Sequence, residues 1–223
     1  MGENQRYLYL LFSATPYRMG SWIRSVTGEP YNHVALATEE SFSDLYAFAR
    51  RFYRTPFYGG FVTEHPDRYR HNGVTADVQV YRLPLTDYQW KRLSQLLQQL
   101  QEHPEHYLYN HLSVLAAPMH KKISVQDAFT CAEFAVCVLD YLGYPFDPQR
   151  FYSVCEIAAE LEPYLYYTGK FPDGTAGDPA FFRKHPVEHP LLTSARDFFA
   201  LCWRFTATNI GLARYCRGNF ASQ

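Results

Sequence analysis

Two short segments far apart in the chain constrain its fold most: Tyr31-Asn32-His33-Val34-Ala35-Leu36 and Phe129-Thr130-Cys131-Ala132-Glu133-Phe134. The first sets a histidine at the head of an apolar run of β type. The second carries Thr130 followed three residues later by Glu133, a capping-box spacing that opens the helical run Phe134 to Leu142, with Gly143 as its stop. On that reading Cys131 lies in the first turn, where unsatisfied N–H groups and the positive end of the helix dipole favour thiolate over thiol. A second start is encoded by Ser124 and Asp127, which would put Cys131 in mid-helix and remove that activation. In a strand of period two, His33, Ala35 and Ala37 share one face and Val34 and Leu36 the other, so the imidazole projects among small side chains. A thiol nucleophile and its base fit these positions; a small core cysteine and a core histidine are the plainer readings.

Order and context of the motifs add to this. Tyr31 to Leu36, Leu45-Tyr46-Ala47-Phe48-Ala49-Arg50, Gly59-Gly60-Phe61-Val62-Thr63-Glu64 and Thr130 to Phe134 together resemble the circularly permuted branch of the NlpC-type papain-like superfamily, which includes YiiX-like and, more distantly, lecithin:retinol acyltransferase-like proteins. The resemblance spans about residues 6 to 160. In that branch the histidine strand precedes the cysteine helix, as here. The resemblance implies Cys131 as nucleophile and His33 as general base. It also implies a polar orienting residue near Ala47, where alanine cannot serve. Glu64, Asp44 and Tyr46 are the substitutes. Asp44 also reads as a turn residue and Tyr46 as a packed aromatic, whereas Glu64 has no evident turn role and is favoured. For an oxyanion, the resemblance points to the Cys131 N–H and a tyrosine hydroxyl before the cysteine helix, Tyr109 or Tyr107.

The expected fold is α+β and papain-like: an antiparallel sheet against a cysteine-bearing helix, with an extra C-terminal helical segment. Strands are expected over 7–12, 31–38, 44–49, 59–64 and 74–83, and helices over 16–26, from Asp87 through Leu100, near 110–117, and over 153–161. Residues 1–172 form the expected domain, and 173–223 a loop followed by an aromatic helix over Leu191 to Arg217, packed on the core or free for self-association.

Composition narrows the function. A formal net charge of −1 leaves no basic stripe for nucleic acid, and Arg68, Arg70 and His71 read as a solvated loop diluted by Asp67. Cysteines at 131, 137, 155, 202 and 216 form no disulfide framework, and no run reaches membrane-spanning length, so a cytoplasmic setting is expected. His103-x-x-His106 and His185-x-x-x-His189 lack a partner at metal-site spacing, and neither metal nor cofactor is expected. The expected activity is a cysteine hydrolase or acyltransferase working through a thioester on a small-molecule, lipid or peptide acyl substrate, with a non-catalytic binding module on the same fold as the alternative.

Overall fold

The computed structural model describes residues 5–52, 55, 57–172 and 189–209. In chain order the elements are β1 (Arg6–Ser13), α1 (Arg18–Thr27), β2 (His33–Ala37), β3 (Leu45–Arg50), β4 (Gly59–Glu64), β5 (Arg70–His71), β6 (Val74–Thr75), β7 (Asp77–Leu85), α2 (Asp87–Glu102), β8 (Leu108–Tyr109), α3 (His111–Ala116), β9 (Ala128–Phe129), α4 (Cys131–Tyr141), α5 (Val154–Glu160), β10 (Leu165–Lys170) and α6 (Pro190–Asn209). Six strands form one antiparallel sheet in the order β10-β7-β1-β2-β3-β4, and β5-β6 and β8-β9 are two-stranded pairs. The fold is α+β.

Alternation along the central strands sorts side chains between two cores. Leu8, Leu10, Phe12, Val34, Leu36, Phe48 and Phe61 face the helices and pack with Leu93 and Leu97 of α2, Phe134 and Val138 of α4, and Ile157 of α5. On the other face Tyr9, Leu11, Ala35, Ala37, Leu45, Ala47 and Val80 meet Tyr69, Ala76 and Phe171. Both central strands are therefore buried on both sides, which explains their nearly unbroken apolar sequence. The run expected as one strand over 74–83 is divided at Ala76, whose N–H donates to the Tyr69 carbonyl (2.8 Å). Its first half pairs in the β5-β6 hairpin and its second joins the sheet.

Helix starts follow side-chain chemistry. Thr86 and Gln89 close a capping box at α2, and Ser153 and Glu156 another at α5. At α1 the chain leaves the helix through Gly28 at φ 71°, a left-handed position suited to glycine. α6 lays Leu201 on Leu108, Val125 and Ala128. Its other side leaves Leu191, Leu192, Phe199 and Trp203 exposed. The expected loop from Asp173, with Gly174, Gly177, Asp178, Pro179, His185 and Pro186, lies outside the described residues, as do Cys216 and Arg217.

Candidate active site

The Thr130 start prevails over Ser124 and Asp127. Thr130 Oγ1 accepts the Glu133 N–H (3.1 Å), and Glu133 Oε2 accepts the Thr130 N–H (2.8 Å). Asp127 cannot begin the helix because it is left-handed (φ 52°) and leads into β9. Cys131 is thus the first helical residue, 6% exposed. Glu133 also accepts from Ser113 Oγ (2.5 Å) and Asn110 Nδ2 (3.2 Å), tying the start of α4 to the start of α3.

His33 reaches the thiol from the first residue of β2, opposite Ser13 on β1. The turn before it is fixed by Asn32, whose Oδ1 accepts from the Thr15 N–H (3.1 Å) and Arg24 Nη1 (2.6 Å), and whose Nδ2 donates to Thr15 Oγ1 (2.8 Å). The Cys131 sulfur lies within electrostatic reach of the His33 imidazole and close to the Val34 N–H. Nε2 of His33 lies 3.0 Å from both carboxylate oxygens of Glu64.

Behind His33, Glu64 ends β4 and is 1% exposed. Pro66 then opens a 3-10 turn over Pro66–Tyr69 that carries the side chains of Arg68 and Tyr69 back onto it. Arg68 Nε stands 2.9 Å from Glu64 Oε1, and the Tyr69 hydroxyl donates to Oε2 at 2.6 Å. Tyr69 is in turn stacked on Phe171, with ring centroids 4.7 Å apart. Arg68, Glu64, His33 and Cys131 alternate in sign when the thiol is ionised. That alternation governs their protonation. Burial would neutralise His33, but the charges of Glu64 and Cys131 and their hydrogen bonds outweigh it and hold His33 up at about 9. Burial also works against an ionised Glu64, yet Arg68, His33 and Tyr69 hold it down at about 2. At Cys131 burial pushes the thiol up, while His33 and the Val34 N–H pull it below the ordinary value. The site stabilises a thiolate beside an imidazolium.

The other sequence candidates separate clearly. Tyr109 lies next to Cys131: β8 pairs in parallel with β9 at Tyr109 and Phe129, and burial followed by the negative charge of Cys131 and Glu133 keeps its phenol protonated. Gly59 and Gly60 permit this approach, since a Cβ on Gly59 would stand 2.8 Å from Tyr109 Cβ and one on Gly60 2.1 Å from the Tyr107 carbonyl. Tyr107 itself packs against Phe48 (6.2 Å) and does not line the cavity. Asp44 is exposed at the entrance to β3. Tyr46 stacks on Phe61 (6.4 Å). Ala47, expected at the orienting position, is fully buried in the Tyr69 cluster, and the carboxylate arrives from β4 instead. The solvated-loop reading of Arg68 is corrected: the residue is 8% exposed and ion-paired. Tyr69 and Asn32 were not singled out by sequence either. Glu64 ends a strand and Arg68 stands on a 3-10 turn, so no helical spacing marks their pairing in the sequence.

In front of Cys131 opens a cavity of about 320 Å³, at the small end of ligand sites. Its walls include Ile23 and Val26 of α1, Val114 of α3, Val136 of α4 and Phe151, with Lys122, Glu29 and Arg150 as charged members. Comparison with known family models, curated proteins and solved structures finds no match for this chain.

Proposed function

We propose that the chain is a cysteine hydrolase or acyltransferase of papain-like type in the permuted order, with the histidine strand before the cysteine helix. The observation that carries this reading is the buried Cys131 and His33 pair, backed by Glu64 and opening on a cavity. The thiolate attacks the carbonyl carbon of an amide or ester, forming a C–S bond. The oxyanion that develops is held by the first-turn N–H of Cys131 and the Tyr109 hydroxyl. His33 gives its proton to the departing nitrogen or oxygen as that bond breaks, leaving a thioester and a neutral imidazole. Water or an acceptor hydroxyl or amine then loses a proton to His33 and attacks the thioester, which restores the thiolate and imidazolium. Glu64 positions the imidazole and stabilises its charged form; Arg68 and Tyr69 position Glu64.

The apolar part of the cavity suits the acyl portion of a small-molecule, lipid or peptide substrate. The odd and unpatterned set of cysteines, with Cys131, Cys155 and Cys202 free among the described residues, favours a reducing, cytoplasmic setting. Among the described residues no helix is long and apolar enough to cross a membrane.

The reading is tested by incubating the protein with a panel of esters, amides and thioesters and searching for a Cys131-linked acyl adduct by mass spectrometry. Turnover with an adduct that disappears in Cys131→Ala and in His33→Ala supports it. Absence of both turnover and adduct across the panel favours the binding module.

A further inference from the structure

We propose that His103, Glu105 and His106 form a binding site for a divalent transition-metal ion of the zinc type. They stand where α2 ends and the chain turns toward β8, on the 3-10 turn Pro104–His106 and its N-cap His103. Residues three apart on such a turn eclipse one another, which puts the two histidines on one side. Their rings face each other at 20° with centroids 5.3 Å apart. Glu105 completes the group: its Oε1 lies 3.8 Å from His103 Nδ1, and one ligand atom from each of the three residues falls within 4.8 Å of the others. Two imidazoles on a tetrahedral zinc hold their nitrogens ~3.4 Å apart, as follows from zinc–nitrogen bonds of about 2.0–2.1 Å. To share an ion the two exposed rings must turn out of their stacked arrangement so that their lone pairs converge, a rotation that no packing opposes at exposed positions. Two imidazoles and one carboxylate, with water filling the remaining position, match the preferences of zinc and its neighbours in the first transition row.

The backbone under these side chains is held. Arg51 donates to the carbonyls of Pro104 and Tyr107, and Arg204 of α6 donates to the carbonyl of His106 (2.8 Å). Sequence spacing alone offered only a His-x-x-His pair in a polar loop. Glu105 stands between the two histidines in the chain, and the fold adds its proximity and the anchored backbone. An ion here would fasten the end of α2 to the segment that carries Tyr109 toward Cys131, and the proposal stands whether or not the thiol is catalytic.

The test is calorimetric titration of Zn²⁺ into the full-length Cys131→Ala protein at about pH 7.5, where imidazoles are available as ligands. Removing the thiol excludes uptake by the Cys131 and His33 pair. The expected result is one ion per chain with micromolar affinity, accompanied by a rise in the unfolding temperature. The doubly substituted His103→Ala/His106→Ala protein should bind at least ~10-fold more weakly and lose the thermal shift, and Glu105→Gln should bind more weakly than the parent. Since all three side chains are exposed, these variants retain the fold, which is verified by unchanged unfolding without metal. Absence of saturable uptake by the Cys131→Ala protein, or equal affinity after both histidines are replaced, overturns the proposal.

Discussion

The two sides of the Cys131 and His33 pair are built on opposite principles. Behind it, Glu64, Arg68 and Tyr69 are buried, mutually hydrogen-bonded or ion-paired, and carried by a strand end and a single tight turn. In front of it, the cavity is lined largely by aliphatic and aromatic side chains from α1, α3, α4 and the segment before α5, and Val26 at its edge is 54% exposed. The rear side fixes protonation and orientation, which tolerate no slack. The front side offers shape and apolar area, which can be altered by degrees. Substitutions behind the pair should therefore change chemistry and stability together, and those in front should change substrate choice alone.

The largest effect is expected at the junction. Cys131→Ala should lower turnover by on the order of 10⁴-fold or more, as loss of a nucleophile does in other hydrolases, while thermal unfolding moves little. A large drop in unfolding temperature would mean that the thiol belongs to the core rather than to the site. Next comes Glu64→Gln, which removes the buried carboxylate that Arg68 and His33 share. A loss of about 3–5 kcal/mol in stability is expected from denaturant titration. Its pH dependence is as informative. With Glu64 in place His33 stays charged up to about 9, so the alkaline limb of the pH–rate profile should fall there, and without that carboxylate the limb should move to lower pH.

Stability alone reads this less cleanly. The contribution of His33 is full below its ordinary 6.5 and is lost as pH rises through about 9. Cys131 runs the other way, contributing above the ordinary thiol value of 9.0 and losing that contribution as pH falls through its lowered one, so the two oppose each other in between. Tyr69→Phe should be milder, costing about 1.5–3 kcal/mol for one hydrogen bond to a charged group, with a smaller shift of the same limb. The smallest effect belongs to the front: Val26→Ser should stay within about 0.5 kcal/mol in stability and raise KM for apolar acyl substrates without changing kcat. If it changed the pH profile, the division between the two sides would fail.

Sequence and structure agree most where local chemistry decides. Thr130 and Glu133 mark the helix start because the capping box is complete within four residues, and period-two alternation in Val34 to Ala37 sorts the strand between two cores. Glu64 stood out for a local reason as well, being a carboxylate without a turn to serve. What the sequence did not disclose depends on chain reversal. Arg68 follows Asp67 and precedes Tyr69 and Arg70, a polar context typical of solvated loops, and only the turn begun at Pro66 carries it back to Glu64. The position of Tyr109 beside Cys131 likewise depends on the Gly59 and Gly60 approach, a contact between distant segments that no periodicity encodes.

The most direct test of the central claim, a Cys131 thiolate sustained by His33, is the rate of iodoacetamide alkylation at each cysteine as a function of pH, read by peptide mass spectrometry. The account predicts that Cys131 labels far faster than Cys137, Cys155 and Cys202 at neutral and mildly acidic pH, and that His33→Ala removes this advantage. Labelling of Cys131 that matches the other cysteines, and rises only as pH approaches the ordinary thiol value, would contradict it.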